Sequence, residues 1–444
     1  MTSPPPFPPS HARQSWIPIL DLHPRSCFLE KSQYEDRAWP QEVLALLGRR
    51  QKENTPTIPR SFGDGSTMMV GKMIVWRWRN YQPGGHHPIH LGDELYNGRF
   101  RVIYKLGYGG SSIVWLCRDQ SQNNPTYVAV KILVAHLQEA ECRELRVFQD
   151  QNLHHLSRYF CLPKEQFTSE SPNGTHLCLV LPVLGPTVNH AAWIFNKERD
   201  ADGIMLRQVS RSLVEAVASL HSVTQANLRP ANVVLELQSL DGLEENQVLE
   251  QLGEPKTRSI TIREDCNPTP DVPYAPKYMV QQVDFHETTD LGPILPRAVI
   301  IDFGQAVKTA VEQPPFGIPT DYAAPEVIWK RSGGREVDTW SLACTLYEVR
   351  VGKHLFDVPH LVVLDEDDYE YEIFSVIGER MSELGDGSVN TAAAAGQICK
   401  RAFGDDVTAE QGQWAEMLAG LLRYEPHQRP KAQELLKNAW FDTR

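Results

Sequence analysis

Between Phe100 and Ile132 the chain alternates runs that read as strands with breaks that read as turns. The runs are Arg101-Val102-Ile103-Tyr104-Lys105-Leu106, Ile113-Val114-Trp115-Leu116 and Tyr127-Val128-Ala129-Val130-Lys131-Ile132. Their β-branched and aromatic side chains suit a pleated surface, and the breaks carry Gly107-Tyr108-Gly109-Gly110 and an Asn124-Pro125 step. This alternation predicts a small antiparallel sheet. Farther on, Leu206, Val209, Leu213, Val217 and Leu220 recur at steps of three and four, the spacing of one buried helix face. The second half is predicted to be mostly helical, which makes the fold class α+β.

The 444 residues are 41% hydrophobic and 23% charged, enough for two lobes with their own cores and unlike a disordered, collagenous or fibrous chain. A formal charge of −12 argues against direct nucleic-acid binding through phosphate contacts and favours a basic partner. The cysteines at 27, 117, 142, 161, 178, 266, 344 and 399 form no Cys-x-x-Cys pair, so reduced thiols in an intracellular protein are expected. No apolar run approaches bilayer length, which predicts a soluble protein with no membrane contact. The Pro4-Pro5-Pro6 and Pro8-Pro9 steps oppose an amphipathic import helix. Residues 1 to 80 read as a Pro-containing extension with one short helical candidate around Val43, Leu44, Leu46 and Leu47. Residues 238 to about 297 carry Glu244-Glu245-Asn246 and Pro255, Pro268, Pro270, Pro273 and Pro276, and read as a polar insertion between two short strands.

Several motifs carry chemistry. The glycines of Gly107-Tyr108-Gly109-Gly110-Ser111-Ser112 lie between two strands, where backbone amides can cover a polyphosphate; a plain Gly-rich hairpin is the alternative. A Rossmann turn needs a following helix and a Walker loop needs Gly-Lys-Ser/Thr, so neither fits. Lys131 ends a strand and Glu144 lies in the helix-like stretch after it; a lysine held by a carboxylate is a preorganised cation for phosphates, or else both residues are simply solvated. Asp302-Phe303-Gly304 follows the apolar Val299-Ile300-Ile301, placing a carboxylate at a strand end where it can hold Mg²⁺, and Asn232 upstream offers a second ligand. Ala324-Pro325-Glu326, Asp338-Thr339-Trp340-Ser341 and Pro426-His427-Gln428-Arg429-Pro430 follow in order.

In that order the motifs resemble the eukaryotic protein kinase family across roughly residues 100 to 441. The resemblance implies a two-lobed fold, with a small antiparallel N-lobe and hinge over 81–186 and a mainly helical C-lobe over 187–444. It implies ATP and Mg²⁺ as cofactors. Gly107, Gly109 and Lys131 would face the phosphates, with Val114, Ala129 and Val234 around the adenine. Leu179-Val180-Leu181-Pro182-Val183-Leu184-Gly185 looks like the hinge strand, where Pro182 offers a carbonyl and Leu184 an amide. Asn232 and Asp302 would hold the metal. A Glu326–Arg429 ion pair and an Asp338 that supports the catalytic loop are also implied. Within the family, Tyr81-Gln82-Pro83-Gly84-Gly85-His86-His87-Pro88-Ile89-His90-Leu91-Gly92-Asp93, the Ser112 position and the insertion are similar to SR-protein kinases, which phosphorylate serines in Arg-Ser-rich splicing factors. That likeness implies a monomeric cytoplasmic or nuclear protein with a protein substrate or partner. Asp365-Glu366-Asp367-Asp368, Glu370 and Glu372 read either as an acidic docking groove or as a solvated acidic loop.

The catalytic loop departs from the family pattern His/Tyr-x-Asp-x-Lys-x-x-Asn. Here it reads Gln225-Ala226-Asn227-Leu228-Arg229-Pro230-Ala231-Asn232. Asn227 stands at the base position and cannot take up a proton near neutral pH, and general-base catalysis is worth about 10²–10⁴-fold. Arg229 keeps the charge of the usual lysine but not its compact geometry. Pro319 falls where a Ser/Thr kinase has a threonine, with Thr320 one place late. Lys131, Glu144, Asn227, Arg229 and Asp302 are thus the candidate catalytic set. A feeble serine/threonine kinase and a pseudokinase, a nucleotide-gated binding module, both remain open.

Overall fold

The computed structural model describes residues 80–137, 142, 145, 157–188, 192–195, 203–221, 228–259, 272–285, 294–301, 318–329, 334–356, 366–377 and 389–442. The helical candidate around Val43 lies outside them.

The predicted strands form, each slightly longer than the sequence pattern suggests. Strands β1 (Glu94–Leu95), β2 (Phe100–Tyr108), β3 (Ser112–Asp119), β4 (Tyr127–Leu133), β5 (Glu165–Ser171) and β6 (Gly174–Leu181) make one antiparallel sheet in the order β1-β2-β3-β4-β6-β5. Phe100, Val102, Leu116, Val130 and Cys178 are buried in its core. Arg99 ties the sheet together from outside, donating to both Asp119 (2.9 Å) and Glu165 (2.8 Å). Strand β7 (Leu184–Thr187) leaves this sheet after Pro182-Val183 and pairs with β8 (Val233–Leu237), which in turn pairs with β11 (Ile294–Ile300).

Helix α1 (Ile204–Leu220) buries Leu206, Val209, Leu213, Val217 and Leu220, the face read from the sequence. Ser212 in that face accepts from the Ala298 amide and donates to the Val209 carbonyl, both at 2.8 Å, so a buried hydroxyl stitches α1 to β11. In the second half, α4 (Arg335–Val351) is buried from Val337 to Val349, and Gly352 ends it in the left-handed conformation (φ 72) with its amide on the Glu348 carbonyl. Helix α3 (Pro325–Ile328) precedes it, α7 (Ala409–Leu421) packs against it, α6 (Thr391–Phe403) packs against α7, α5 (Glu366–Ile377) against α6, and α8 (Ala432–Leu435) against α1. Trp340 stacks on Phe356, and Tyr347 on Trp414.

The insertion lies between β8 and β11, the two short strands expected to flank it. It contains α2 (Glu245–Leu252), whose capping box joins Glu244 and Gln247, and an antiparallel pair of β9 (Thr257–Ser259) and β10 (Tyr278–Val280). Val248, Leu252, Val280 and Val283 are buried in the main core. Its polar contacts reach the N-terminal sheet. Val283 donates its amide to the Lys105 carbonyl (2.9 Å), the Tyr127 hydroxyl donates to the Leu243 carbonyl (2.8 Å), and Arg101 pairs with Glu245. The prolines break up its helical pattern, yet the spaced apolar residues between them have a surface to bury against.

The acidic stretch likewise is no loop: residues Glu366–Ile377 are helix α5. Asp365 and the side chains of 366–369 lie outside the described residues.

Candidate active site

Gly107 and Gly109 lie at the β2–β3 turn. The Gly109 amide donates to the Ser112 carbonyl (2.8 Å), and a Cβ built on either glycine would meet nothing within 4 Å. The turn therefore leaves open space beneath a backbone free of side chains. Lys131 in β4 lies opposite Val114 of β3 and Leu179 of β6, and Ala129 lies opposite Leu116 and Leu181. Directly opposed residues share a face, as do positions two apart, so Val114, Ala129, Lys131, Leu179 and Leu181 project from one side of the sheet. Val130 and Ile132, on the other side, are buried in the sheet core.

Leu181 belongs at the same time to a second, separate apolar cluster with Leu184, Val234, Val299, Ile301 and Cys161. This cluster joins the end of the large sheet to the three-stranded β11-β8-β7 sheet, across the Pro182-Val183 link. Leu184 and Val234 thus meet Leu181 in one cluster, and Val114 and Ala129 project from the same sheet face as Leu181. Cys161 and Val299 were not expected in this cluster. Cys161 arrives by a parallel bridge between Phe160 and Ile300 and an amide bond to the Ile300 carbonyl (3.0 Å), a contact between segments far apart in sequence that no local pattern signals.

Shortly before Val234, Arg229 precedes a one-turn helix, Pro230–Asn232, whose first position is the proline. The Asn232 amide nitrogen of the backbone donates to the Arg229 carbonyl (2.9 Å), and the Asn232 carbonyl accepts from Ile301 (2.8 Å), at the end of the strand that leads to Asp302. Asn232 is buried. Its side-chain oxygen Oδ1 accepts from Arg229 Nε at 3.2 Å. The oxygen expected to meet Mg²⁺ thus faces the Arg229 guanidinium. Glu144, Asn227, Asp302 and Gly304 lie outside the described residues, as do Gln225, Ala226 and Phe303.

The supporting shell follows the sequence more closely. Arg429 makes two hydrogen bonds to Glu326, at 2.7 and 2.8 Å, with both side chains buried, and its guanidinium lies 5.2 Å from the Trp340 ring centre. Asp338 Oδ2 lies 3.2 Å from His221 Nε2, at the end of α1, a partner with no signal in the residue order. The Tyr322 hydroxyl donates to Glu348 (2.7 Å), and burial together with that carboxylate holds its pKa far above the ordinary tyrosine range. The Ser341 hydroxyl donates to the Tyr322 carbonyl, tying the segment before Ala324-Pro325-Glu326 to α4.

The family model described as "Protein kinase domain" matches residues 296–441. A crystal structure of a kinase domain superposes with a TM-score of 0.51 at 18% identity, covering 80% of this chain and 98% of the other. The chain has the two-lobed protein kinase fold. Among curated proteins, the serine/threonine-protein kinase SRPK of Physarum polycephalum is 26% identical over 298 residues, 62% of this chain and 66% of that one. Protein kinase dsk1 of Schizosaccharomyces pombe is 23% identical, over 63% of this chain and 65% of its own length. SRSF protein kinase 3 of Homo sapiens is 29% identical over 35% of this chain and 29% of that one. The chain thus spans a little under two thirds of the length of the first two relatives. The chain is thus similar to serine/threonine-protein kinases named SRPK and SRSF protein kinase.

Proposed function

We propose that this chain is an ATP-binding, SRPK-like serine/threonine protein kinase whose phosphotransfer is weak. The observation that carries nucleotide binding is the apolar cluster of Leu181, Leu184, Val234 and Val299, which links the two sheets. Val114, Ala129 and Lys131 project from the same sheet face as Leu181, and Gly107 lies opposite Val114. A flat apolar base fits between the sheets, Lys131 supplies a cation for the phosphates, and the open glycine turn supplies amides. Glu144 would hold Lys131 by family resemblance, and Asp302 would carry a metal ion.

Weak transfer follows from Asn227. An amide orients a substrate hydroxyl through its oxygen but accepts no proton, so positioning and electrostatics alone remain to promote transfer. An acceptor serine or threonine in an Arg-Ser-rich protein is the substrate class suggested by the SRPK-like relatives. The bond from Arg229 to Asn232 favours a second reading, a pseudokinase that uses its nucleotide as a conformational ligand, because it turns catalytic-loop side chains toward each other.

Radiolabelled ATP and an Arg-Ser peptide separate the two readings, with Asp302→Ala as the blank. Native turnover above the blank, rising about 10²-fold or more in Asn227→Asp, supports the weak kinase. Native turnover equal to the blank supports the pseudokinase. If Asn227→Asp gains nothing, Asn227 is not the missing base.

A further inference from the structure

We propose that the N-terminal sheet takes up an extended basic protein segment as an added strand, in the cleft between its two end strands β1 and β5. This surface lies apart from the apolar cluster assigned to the nucleotide, and the inference does not depend on that reading.

The order β1-β2-β3-β4-β6-β5 puts β1 and β5 at opposite ends of the sheet. Side chains nevertheless bring the two ends together. Tyr96, directly after β1, stacks on Phe167 of β5 with ring centres 4.6 Å apart, and Phe167 stacks in turn on Phe100 of β2 at 5.6 Å. Arg99 of the same turn donates twice to Glu165 of β5, at 3.0 and 2.8 Å. The sheet is thus rolled until its ends face each other, yet among the described residues no ladder or isolated bridge joins β1 to β5. Between them lies a cleft of about 600 Å³, with Leu95, Tyr96 and Asn97 on one side and Phe167, Thr168 and Glu170 on the other.

An end strand keeps one row of backbone amides and carbonyls outside the ladder, and an extended peptide pairs with such a row. Two end strands across one cleft offer a row on either side. The turn that carries Tyr96 across holds it at φ 52 and Asn97 at φ 56, a conformation uncommon for residues with side chains. Although stacked on Phe167, Tyr96 stays 39% exposed.

Charge selects the occupant. Glu94 and Glu170 both line the cleft and are exposed. Their hydrogen bonds are to neutral groups, from Gln120 (3.1 Å) to Glu94 and from Thr175 (2.7 Å) to Glu170. Glu165, by contrast, already holds Arg99. A basic side chain entering the cleft therefore meets carboxylates that no cation among the described residues neutralises, and an arginine has the exposed Tyr96 ring to lie against as well. An acidic segment would meet repulsion instead.

The test is fluorescence anisotropy of the full chain with a labelled Arg-Thr-Arg-Thr-Arg-Thr-Arg-Thr peptide. This peptide should bind, and its Glu-for-Arg counterpart should not. A Pro-for-Thr counterpart keeps the charge but loses alternate backbone N–H groups, and should bind about fivefold or more weakly. The double variant Glu94→Gln, Glu170→Gln should weaken binding of the Arg-Thr peptide by about fivefold or more, with an unchanged melting temperature confirming the fold. Tyr96→Asn, suited to the same backbone turn, should weaken it too. No binding of the Arg-Thr peptide overturns the inference, and so does equal binding of the Pro-containing peptide, which would mean charge attraction without strand pairing. Undiminished binding by the double variant places the peptide on another acidic surface and overturns it as well. A dimer in sedimentation that Tyr96→Asn dissolves would give the cleft to a second copy of the chain, again against the inference.

Discussion

Two arginines of this chain each meet a side-chain oxygen acceptor, and they do different work. Arg429 lies fully buried between α3 and α4, bonded through two nitrogens to Glu326 and stacked near Trp340. Arg229 lies half-buried shortly before β8 with one bond, to a neutral amide three residues away. The first is a scaffold contact between distant parts of the helical lobe. The second lies within the catalytic loop, where the sequence departs from the kinase pattern. The Glu326–Arg429 pair follows the family pattern, while the loop sequence departs from it at Asn227 and Arg229.

The strongest way to break this contrast is Arg429→Ala. Removing one partner leaves Glu326 charged and buried without compensation, which should cost about 3–5 kcal/mol in denaturant unfolding. A loss under about 1 kcal/mol would show that Arg429 is not the anchor described here. Acid should expose a second scaffold feature. His86 and His87 belong to the Tyr81–Asp93 stretch, and His87 contacts the β5–β6 hairpin, meeting Ser169 (3.1 Å) with its ring 4.7 Å from that of His176. Burial first, then Lys105, His176 and His136, lowers His86 to about 4; burial and then His176 lower His87 to about 4. Both stay neutral in the folded protein but protonate near 6.5 when unfolded, so the stability they contribute is present above 6.5 and is lost as pH falls toward 4. At pH 5 the loss should reach about 2 kcal/mol for each, and the fall in melting temperature between pH 7 and pH 5 should shrink in a His86→Gln, His87→Gln double variant. The smallest effect belongs to the other arginine. Arg229→Met should lower unfolding stability by about 1 kcal/mol or less, since a single half-exposed bond is lost; a cost matching that of Arg429→Ala would erase the distinction.

Much of this was legible because it is local. Strands β2 to β4 announce themselves through β-branched runs and glycine breaks, and α1 through its 3.6-residue period. The Glu326–Arg429 pair was legible through family motifs, which link positions far apart in the chain. The insertion's own elements were not legible because prolines and charges dominate its composition, while Val248, Leu252, Val280 and Val283 are too sparsely spaced to show a buried face. Cys161 was missed for the same reason: its place in the apolar cluster with Val234 depends on pairing with Ile300.

By itself the sequence determined that position 227 is an amide, which has no proton affinity near neutral pH whatever surrounds it. It determined too the strand and helix periods, since these are properties of neighbouring residues. Only the tertiary structure decided that the insertion braces the N-terminal sheet and that Arg229 faces the Asn232 oxygen. Hydrogen bonds and charge contacts depend on direction and distance in space, and residue order alone carries neither.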